Sequence, residues 1–242
     1  MIPLNALDVK DLHKNYGEFK ALDGVSFSVK DGEIYGLIGP NGAGKTTALR
    51  TISTLLTIDS GEIDVYGTSV KDEPDKVRKI ISYLPEDAGA YKDLTGRKYL
   101  TFMANFFADG DGAKAIVDRG IEIADLEDRI DSKVSTYSKG MMRRLLIARA
   151  IMPQPKLAIL DEVTSGLDVV NAYEIRSIIK SIAGHGVSIL LSSHNMFEVE
   201  LLCDRVGMIN KGVLVQEGTP EQLKARFNAN SLEEVFVKAV GE

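Results

Sequence analysis

Eight consecutive residues, Gly39-Pro40-Asn41-Gly42-Ala43-Gly44-Lys45-Thr46, fit the pattern G-x-x-x-x-G-K-[ST] without exception. Glycines at these positions let successive backbone N–H groups turn inward around a phosphate. The start of the following helix adds the positive end of its dipole. Lys45 is placed to reach the β- and γ-phosphates of a nucleotide, Thr46 to bind Mg2+ through its hydroxyl, and Thr47 to join the nucleotide contacts. The pattern alone says only nucleoside triphosphate, because GTPases, kinases and many ATPases share it.

A second cluster is acidic. Leu157-Ala158-Ile159-Leu160 runs directly into Asp161-Glu162. An Asp-Glu pair in isolation is more often a solvated surface pair. At the end of an apolar run, in a chain with a phosphate loop, Asp161 is placed to hold Mg2+ through water, and Glu162 to orient or deprotonate an attacking water. His194 follows a third apolar run, Val187 to Leu191 extended by Ser192 and Ser193. That is the strand end where such sheets bind ligands, so His194 is expected to contact the γ-phosphate.

These groups need elements that bring them together. Ile34 to Ile38, Leu157 to Leu160 and Val187 to Leu191 are short apolar runs bounded by turns, which read as buried strands. Helical stripes follow two of them: Leu49, Ile52, Leu55 and Leu56 after the first, and Ile175, Ile178, Ile179 and Ile182 after the second. Strands alternating with helices predict a mostly parallel sheet with helices on its faces. Near the N-terminus, Val25, Phe27 and Val29 alternate with polar residues, as do Ile63 and Val65, predicting a small antiparallel sheet. From about Asp87 to Met152 strand signals are scarce. Tyr99, Leu100, Met103, Phe106 and Phe107 suggest one helix, Ile116, Val117 and Ile121 another, with Asp109-Gly110-Asp111-Gly112 as a linker between them. The boxes Thr219-Pro220-Glu221-Gln222 and Ser231-Leu232-Glu233-Glu234 predict short helices in the tail.

Composition sets the limits. The 242 residues are 44% hydrophobic and 26% charged, typical of a folded globular chain, with a net charge of −6 that argues against a nucleic-acid partner. The lone cysteine, Cys203, rules out an internal disulfide and a cysteine cluster for zinc, and reads as a small buried hydrophobe. Met1 to Asp8 lack a signal-peptide pattern, and no apolar run approaches the length that spans a bilayer. Between Asp131 and Asp161 lie Lys133, Lys139, Arg143, Arg144, Arg149 and Lys156 without an acidic residue, read as a solvated helix face and as a positive surface for a triphosphate.

Taken together, these motifs resemble the nucleotide-binding subunits of ATP-binding-cassette (ABC) transporters over nearly the whole chain. The resemblance implies a P-loop NTPase, RecA-like α/β core with an N-terminal antiparallel β subdomain and an inserted helical subdomain. It divides a single ATPase domain into residues of about 1–86 and 153–218, a helical part of about 87–152 and C-terminal helices at 219–242. Tyr16, in Asn15-Tyr16-Gly17, looks like the family's aromatic that stacks on adenine without base-specific hydrogen bonds. Tyr137-Ser138-Lys139-Gly140-Met141 occupies the place of the family signature, L-S-G-G-Q, with Ser138 resembling an N-cap whose hydroxyl and neighbouring N–H groups form an anion site. In the family, that signature closes over nucleotide held by another subunit. Ser165-Gly166-Leu167-Asp168 resembles the loop that links the two sites across the interface. The implied partners are a second ATP-binding subunit, identical or not, in a head-to-tail pair, and a multi-helix membrane permease. The implied cofactors are ATP and Mg2+, and the implied location is the cytoplasmic face of the membrane.

Several positions depart from the commonest pattern. Glu86, after Leu84-Pro85, stands where a glutamine usually contacts Mg2+ and the lytic water; the resemblance implies the same Mg2+ contact from its carboxylate, whose charge alters the balance of the site. Lys139 and Met141 replace a glycine and a glutamine, and Val163 replaces a proline. The Tyr-Ser-Lys-Gly-Met signature and the Leu-Pro-Glu loop resemble a branch containing exporters of sodium ions, drugs and polyketides, which points to export. The alternative is a soluble cassette ATPase acting in translation or DNA repair. Translation-associated members usually carry two cassettes, and chromosome-associated members carry long heptad segments between phosphate loop and signature. This chain has one cassette and no sustained heptad. A GTPase is disfavoured because Asn210-Lys211 is followed by Gly212-Val213 rather than by an aspartate.

Overall fold

The computed structural model describes residues 5–241, so Met1 to Leu4, half of the stretch read for a leader, lie outside the described residues. In chain order the elements are β1 (Asn5–Tyr16), β2 (Phe19–Lys30), β3 (Ile34–Ile38), α1 (Lys45–Ile52), β4 (Ser60–Val65), β5 (Thr68–Ser69), α2 (Pro74–Arg78) and β6 (Ile81–Leu84). Then come α3 (Gly96–Ala104), α4 (Gly110–Ala124), two short 3-10 turns, α5 (Lys139–Ile151), β7 (Leu157–Asp161), α6 (Val169–Gly184) and β8 (Ser188–Ser193). The chain continues through α7 (Met196–Leu202), β9 (Arg205–Asn210), β10 (Val213–Gly218), α8 (Pro220–Phe227) and α9 (Leu232–Gly241).

Two sheets result. The first is antiparallel, in the order β2-β1-β4-β5, and the second is six-stranded, in the order β10-β9-β3-β8-β7-β6. Within the second, β9, β3, β8, β7 and β6 run parallel, and β10 is an antiparallel edge. Every residue of β3, β7 and β8 is buried, which explains why these strands read as continuous apolar runs: both faces of the sheet are covered. Alternation still assigns each side chain to a face. Tyr35, Leu37, Leu157, Ile159 and Leu190 pack with the antiparallel sheet and with Ala48, Leu49 and Ile52 of α1. Ile34, Ile38, Ala158, Leu160, Ile189 and Leu191 pack on the other side with α3 to α7. Cys203 is buried beside Gly36 of β3, and burial pushes its thiol pKa up. Among the described residues no helix is long and apolar enough to cross a membrane.

Three local expectations give way. Helix α1 stops at Ile52, so Leu55 and Leu56 do not extend its stripe, and Leu55 is exposed. The hydroxyls of Thr51 and Ser53 donate to carbonyls four residues back, and Thr54 turns left-handed at φ 63°, ending the ladder. Phe106 and Phe107 lie beyond the end of α3, where i→i−3 bonds to Met103 and Ala104 close the helix, and both rings are exposed. The stretch 109–112 is the start of α4 rather than a linker. Asp109 takes the extended N-cap conformation, and Asp111 complements the positive helix end. In the tail, Thr219 and Gln222 make the full reciprocal capping box. Ahead of α9, the Ser231 hydroxyl accepts from the Glu234 N–H, while the Glu234 carboxylate takes the Asn230 N–H.

Leu160 is fully buried at the last apolar position before the acidic pair. Leu160→Ala is expected to cost about 2–5 kcal/mol of folding stability, measured as a lower urea midpoint at unchanged denaturant slope.

Candidate active site

The phosphate loop leaves the carboxyl end of β3, the centre of the sheet, and turns directly into α1. Gly44, the N-cap of α1, has φ 110°, and a Cβ there would come within 2.6 Å of the Ala21 carbonyl oxygen. Only glycine fits that conformation and that gap. The loop is held from outside, where the Gly212 N–H donates to the Ala43 carbonyl at 2.9 Å.

Neighbouring strands deliver the acidic residues. β7 ends on Asp161, and β8, between β7 and β3, ends on Ser193 just before His194. Glu162 has φ 50°, a strained left-handed turn for a residue with a side chain, of the kind that clusters at functional sites. Its carboxylate is buried and lies 3.5 Å from the Lys45 ammonium on one side. On the other side it meets His194, with Nδ1 at 2.8 Å and the His194 backbone N–H at 3.4 Å. Lys45 also donates to the carbonyls of Gly39 at 2.8 Å and Pro40 at 3.2 Å. The His194 ring is about half exposed, so this cluster opens to solvent on the histidine side.

Asp161 is almost wholly buried. Ser192 Oγ donates to its Oδ1, and the Tyr83 hydroxyl donates to Oδ2 at 3.3 Å. Ser192 also receives the Glu162 N–H, on both its hydroxyl and its carbonyl oxygen. One serine therefore fixes both members of the acidic pair.

A cleft of about 240 Å3 runs along the loop, lined by Tyr16, Phe19, Ala21, Asn41, Gly42, Ala43, Gly44, Lys45, Thr46, Thr47, Glu86 and Glu162. Tyr16 and Phe19 are cross-strand partners at the β1–β2 turn and both rings are exposed, a paired aromatic surface at one end of the cleft. Gly39 and Pro40 form the base of the loop through the carbonyls that hold Lys45. Thr46, with its hydroxyl, and Asp161, with its carboxylate, supply hard oxygen donors of the kind Mg2+ takes beside substrate phosphates. A larger cavity, of about 690 Å3, lies at the opposite ends of β7 and β8, beside Lys156 and Val187, and contains none of these residues.

The second group of candidates assembles elsewhere. Ser138 caps α5, accepting the Met141 N–H at 3.2 Å. Gly140 packs so closely on Asn171 that a Cβ would collide with its side chain, and Lys139 Nζ lies over Gly166. Asp168 in turn caps α6, accepting from the Val170 and Asn171 N–H groups at 3.0 Å and from the Asn171 side chain at 2.6 Å. Ser138 to Met141 and Ser165 to Asp168 thus form one neighbouring unit, and none of them lines the cleft. The basic stretch is less superficial than its sequence implies. Arg143 is buried, and Arg144 pairs with Asp125 and Glu174, so these two add little to a positive surface.

Three participants escape a reading of the sequence: Phe19, Tyr83 and Ser192. Phe19 carries a faint signal, an aromatic just past the glycine that follows Tyr16. Tyr83 and Ser192 become visible only when β6 and β8 flank β7.

Burial, and after it the Asp161 charge, push the Tyr83 phenol up to about 12. The folded chain therefore holds this proton more tightly than the unfolded chain, whose tyrosines titrate near 10 by the ordinary value. That preference stabilises the fold fully below pH 10 and is lost as pH rises through about 12. The urea midpoint of Tyr83→Phe is expected to fall less steeply than that of the parent chain over this window, with a remaining share from Tyr66, which is raised likewise. Identical slopes in the two proteins count against a buried Tyr83 phenol beside Asp161.

Comparison with known proteins agrees with this geometry. The family model of the ABC transporter matches residues 22–165. The linearmycin resistance ATP-binding protein LnrL of Bacillus subtilis is 36% identical over 237 residues, which are 98% of this chain and 76% of the relative. The Nod factor export ATP-binding protein I of Burkholderia orbicola is 38% identical over 218 residues, 90% of this chain and 72% of the relative. A solved structure described as the ATP-binding subunit of an ABC transporter superposes with a TM-score of 0.85 at 30% identity, covering 97% of this chain and 99% of that one. With phosphate loop, acidic strand end and histidine gathered on adjacent strands of the same fold, the chain belongs to the ABC transporter family as an ATP-binding, ATP-hydrolysing subunit.

Proposed function

We propose that this chain powers export, using ATP to close a head-to-tail pair of cassettes and hydrolysis to reopen it, with the motion passed to a separate multi-helix permease. The observation that carries the hydrolytic part is the buried carboxylate of Glu162, held between Lys45 and His194 at the mouth of the phosphate loop. In this reading Lys45 and the loop amides of Gly39 to Thr47 bind the triphosphate, with the base lying against Tyr16 and Phe19. Glu162 takes the proton of the attacking water, and His194 holds the carboxylate and the γ-phosphate in register. Thr46 and Asp161, with Glu86 from the same cleft, would hold Mg2+, and the ion would supply charge neutralisation on the phosphates.

The Ser138 to Met141 group lies outside its own chain's cleft, which suits a contact made to the partner's nucleotide across the interface. Ser165 to Asp168, packed on that group, would then face the same partner. We take 87–152 to act as a helical lobe, 1–86 with 153–218 as the catalytic body, and 219–242 as a C-terminal pair of helices. The lobe carries an exposed edge-to-face cluster of Tyr91, Phe102 and Phe106. Such a patch suits a protein partner, and we assign it to the permease, which puts the chain at the cytoplasmic face of a membrane. Relatives named for resistance to linearmycin and for Nod factor export support the outward direction.

Glu162→Gln is expected to keep ATP binding and ATP-driven pairing while lowering turnover by about 100-fold or more. Near-normal hydrolysis in that variant would refute the assigned role. Lys45→Ala is expected to weaken ATP binding itself by about 10- to 100-fold, read by equilibrium titration, through loss of a charge-assisted contact.

A further inference from the structure

Among the described residues, Arg143 is the one buried cation without an ion-pair partner, since Lys14 and Lys45 are both paired. It sits on α5, is buried, and donates from Nη2 to the main-chain carbonyl of Glu86 at 3.3 Å. Its Nη1 has no hydrogen-bond partner, and among the described residues no carboxylate lies within ion-pair distance of it. An arginine carries five N–H donors and keeps its charge when buried, so it normally sits against a carboxylate. Burial works against the Arg143 charge, and Glu86 is the group whose charge offsets that effect. The Glu86 side chain is exposed and lines the nucleotide cleft together with Lys45, Thr46 and Glu162. Its carboxylate therefore has two places to go: the cleft in front, and the unpaired guanidinium behind its own backbone.

We propose that Arg143 is a positioning residue for Glu86, and that the two form an ionic tether linking the nucleotide cleft to the signature helix. When the cleft draws the Glu86 carboxylate forward, Arg143 loses its counter-charge; when the carboxylate turns back, Arg143 gains it. Arg143 lies in the same unbroken helix that Ser138 caps, about 7.5 Å along its axis, so a pull at one is felt at the other. The glutamine that usually stands at position 86 has no charge to offer, which gives the glutamate here a purpose. This inference rests on the reading that Ser138 contacts nucleotide and that Glu86 faces the Mg2+ side of the nucleotide cleft.

The test uses the full chain and four variants: E86Q, R143Q, the double variant E86Q/R143Q, and Lys45→Ala. Three quantities are measured for each: kcat and KM for ATP separately, and amide hydrogen exchange over 138–145 with and without the non-hydrolysed analogue AMP-PNP. R143Q is expected to lower kcat about tenfold through misplacement of Glu86, with KM within about twofold. R143Q and E86Q are each expected to lose the nucleotide-dependent change in exchange over 138–145. The double variant, neutral at both ends and able to hydrogen-bond amide to amide, is expected to recover kcat to within about threefold of the parent. A merely structural arginine would not be rescued by a change at position 86. A double variant no better than R143Q, or an R143Q that keeps both kcat and the exchange response, overturns the tether. Should R143Q fail to fold, E86Q at an exposed position decides alone: full retention of the exchange response overturns the proposal. Unchanged ATP affinity in Lys45→Ala overturns the functional reading itself, whereas weakened affinity there beside an unrescued double variant overturns only the tether.

Discussion

The whole site is organised around one carboxylate placed where there is little water, with a cation on one side and an imidazole on the other. The Glu162 side chain is as buried as Leu202 of the core, although it is a carboxylate. Burial of a lone charge is costly, and here the cost is offset by Lys45 on one side and by His194 on the other. That arrangement requires three chain segments distant in sequence to end within a few ångströms of each other. A parallel sheet does this by construction, since β3, β8 and β7 all point their carboxyl ends the same way. The apolar strands are what hold the polar cluster in place.

The parts of the fold written in local pattern are legible. Unbroken apolar runs foretell β3, β7 and β8, alternation foretells the antiparallel sheet, and the glycine-lysine loop marks its own strand–helix context. What is not legible is neighbourhood. The sheet order places β8 between β3 and β7, and β6 beyond β7, an arrangement no residue spacing encodes. Ser192 therefore looks like an ordinary strand serine until it is seen to bind both Asp161 and the Glu162 N–H. Tyr83 likewise looks like a core aromatic until its hydroxyl meets Asp161. The helix ends fail for another reason. Hydroxyl side chains bonding back to the backbone stop α1 early. At α4 the extended backbone of Asp109 and the Asp111 charge in the first turn mark a helix start where glycines suggest a linker.

Charge counted along the sequence also misleads about surface. The run of basic residues before β7 suggests a positive face, but Arg143 turns into the protein and Arg144 is spoken for by two acids. An arginine's long stem lets it leave the surface that its position implies. The net charge of the segment thus overstates the field that an incoming anion meets.

The contact between Gly140 and Asn171 has a consequence for timing. Asn171 is also bound by Asp168, so the start of α5 and the start of α6 share a single side chain and cannot shift independently. In the head-to-tail pair proposed above, each chain would lend this shared corner to its neighbour while receiving the neighbour's in return. A disturbance at one nucleotide would then travel around a closed circuit of two chains and come back to where it began. Such a ring would favour firing in step or in strict turn over two engines idling separately.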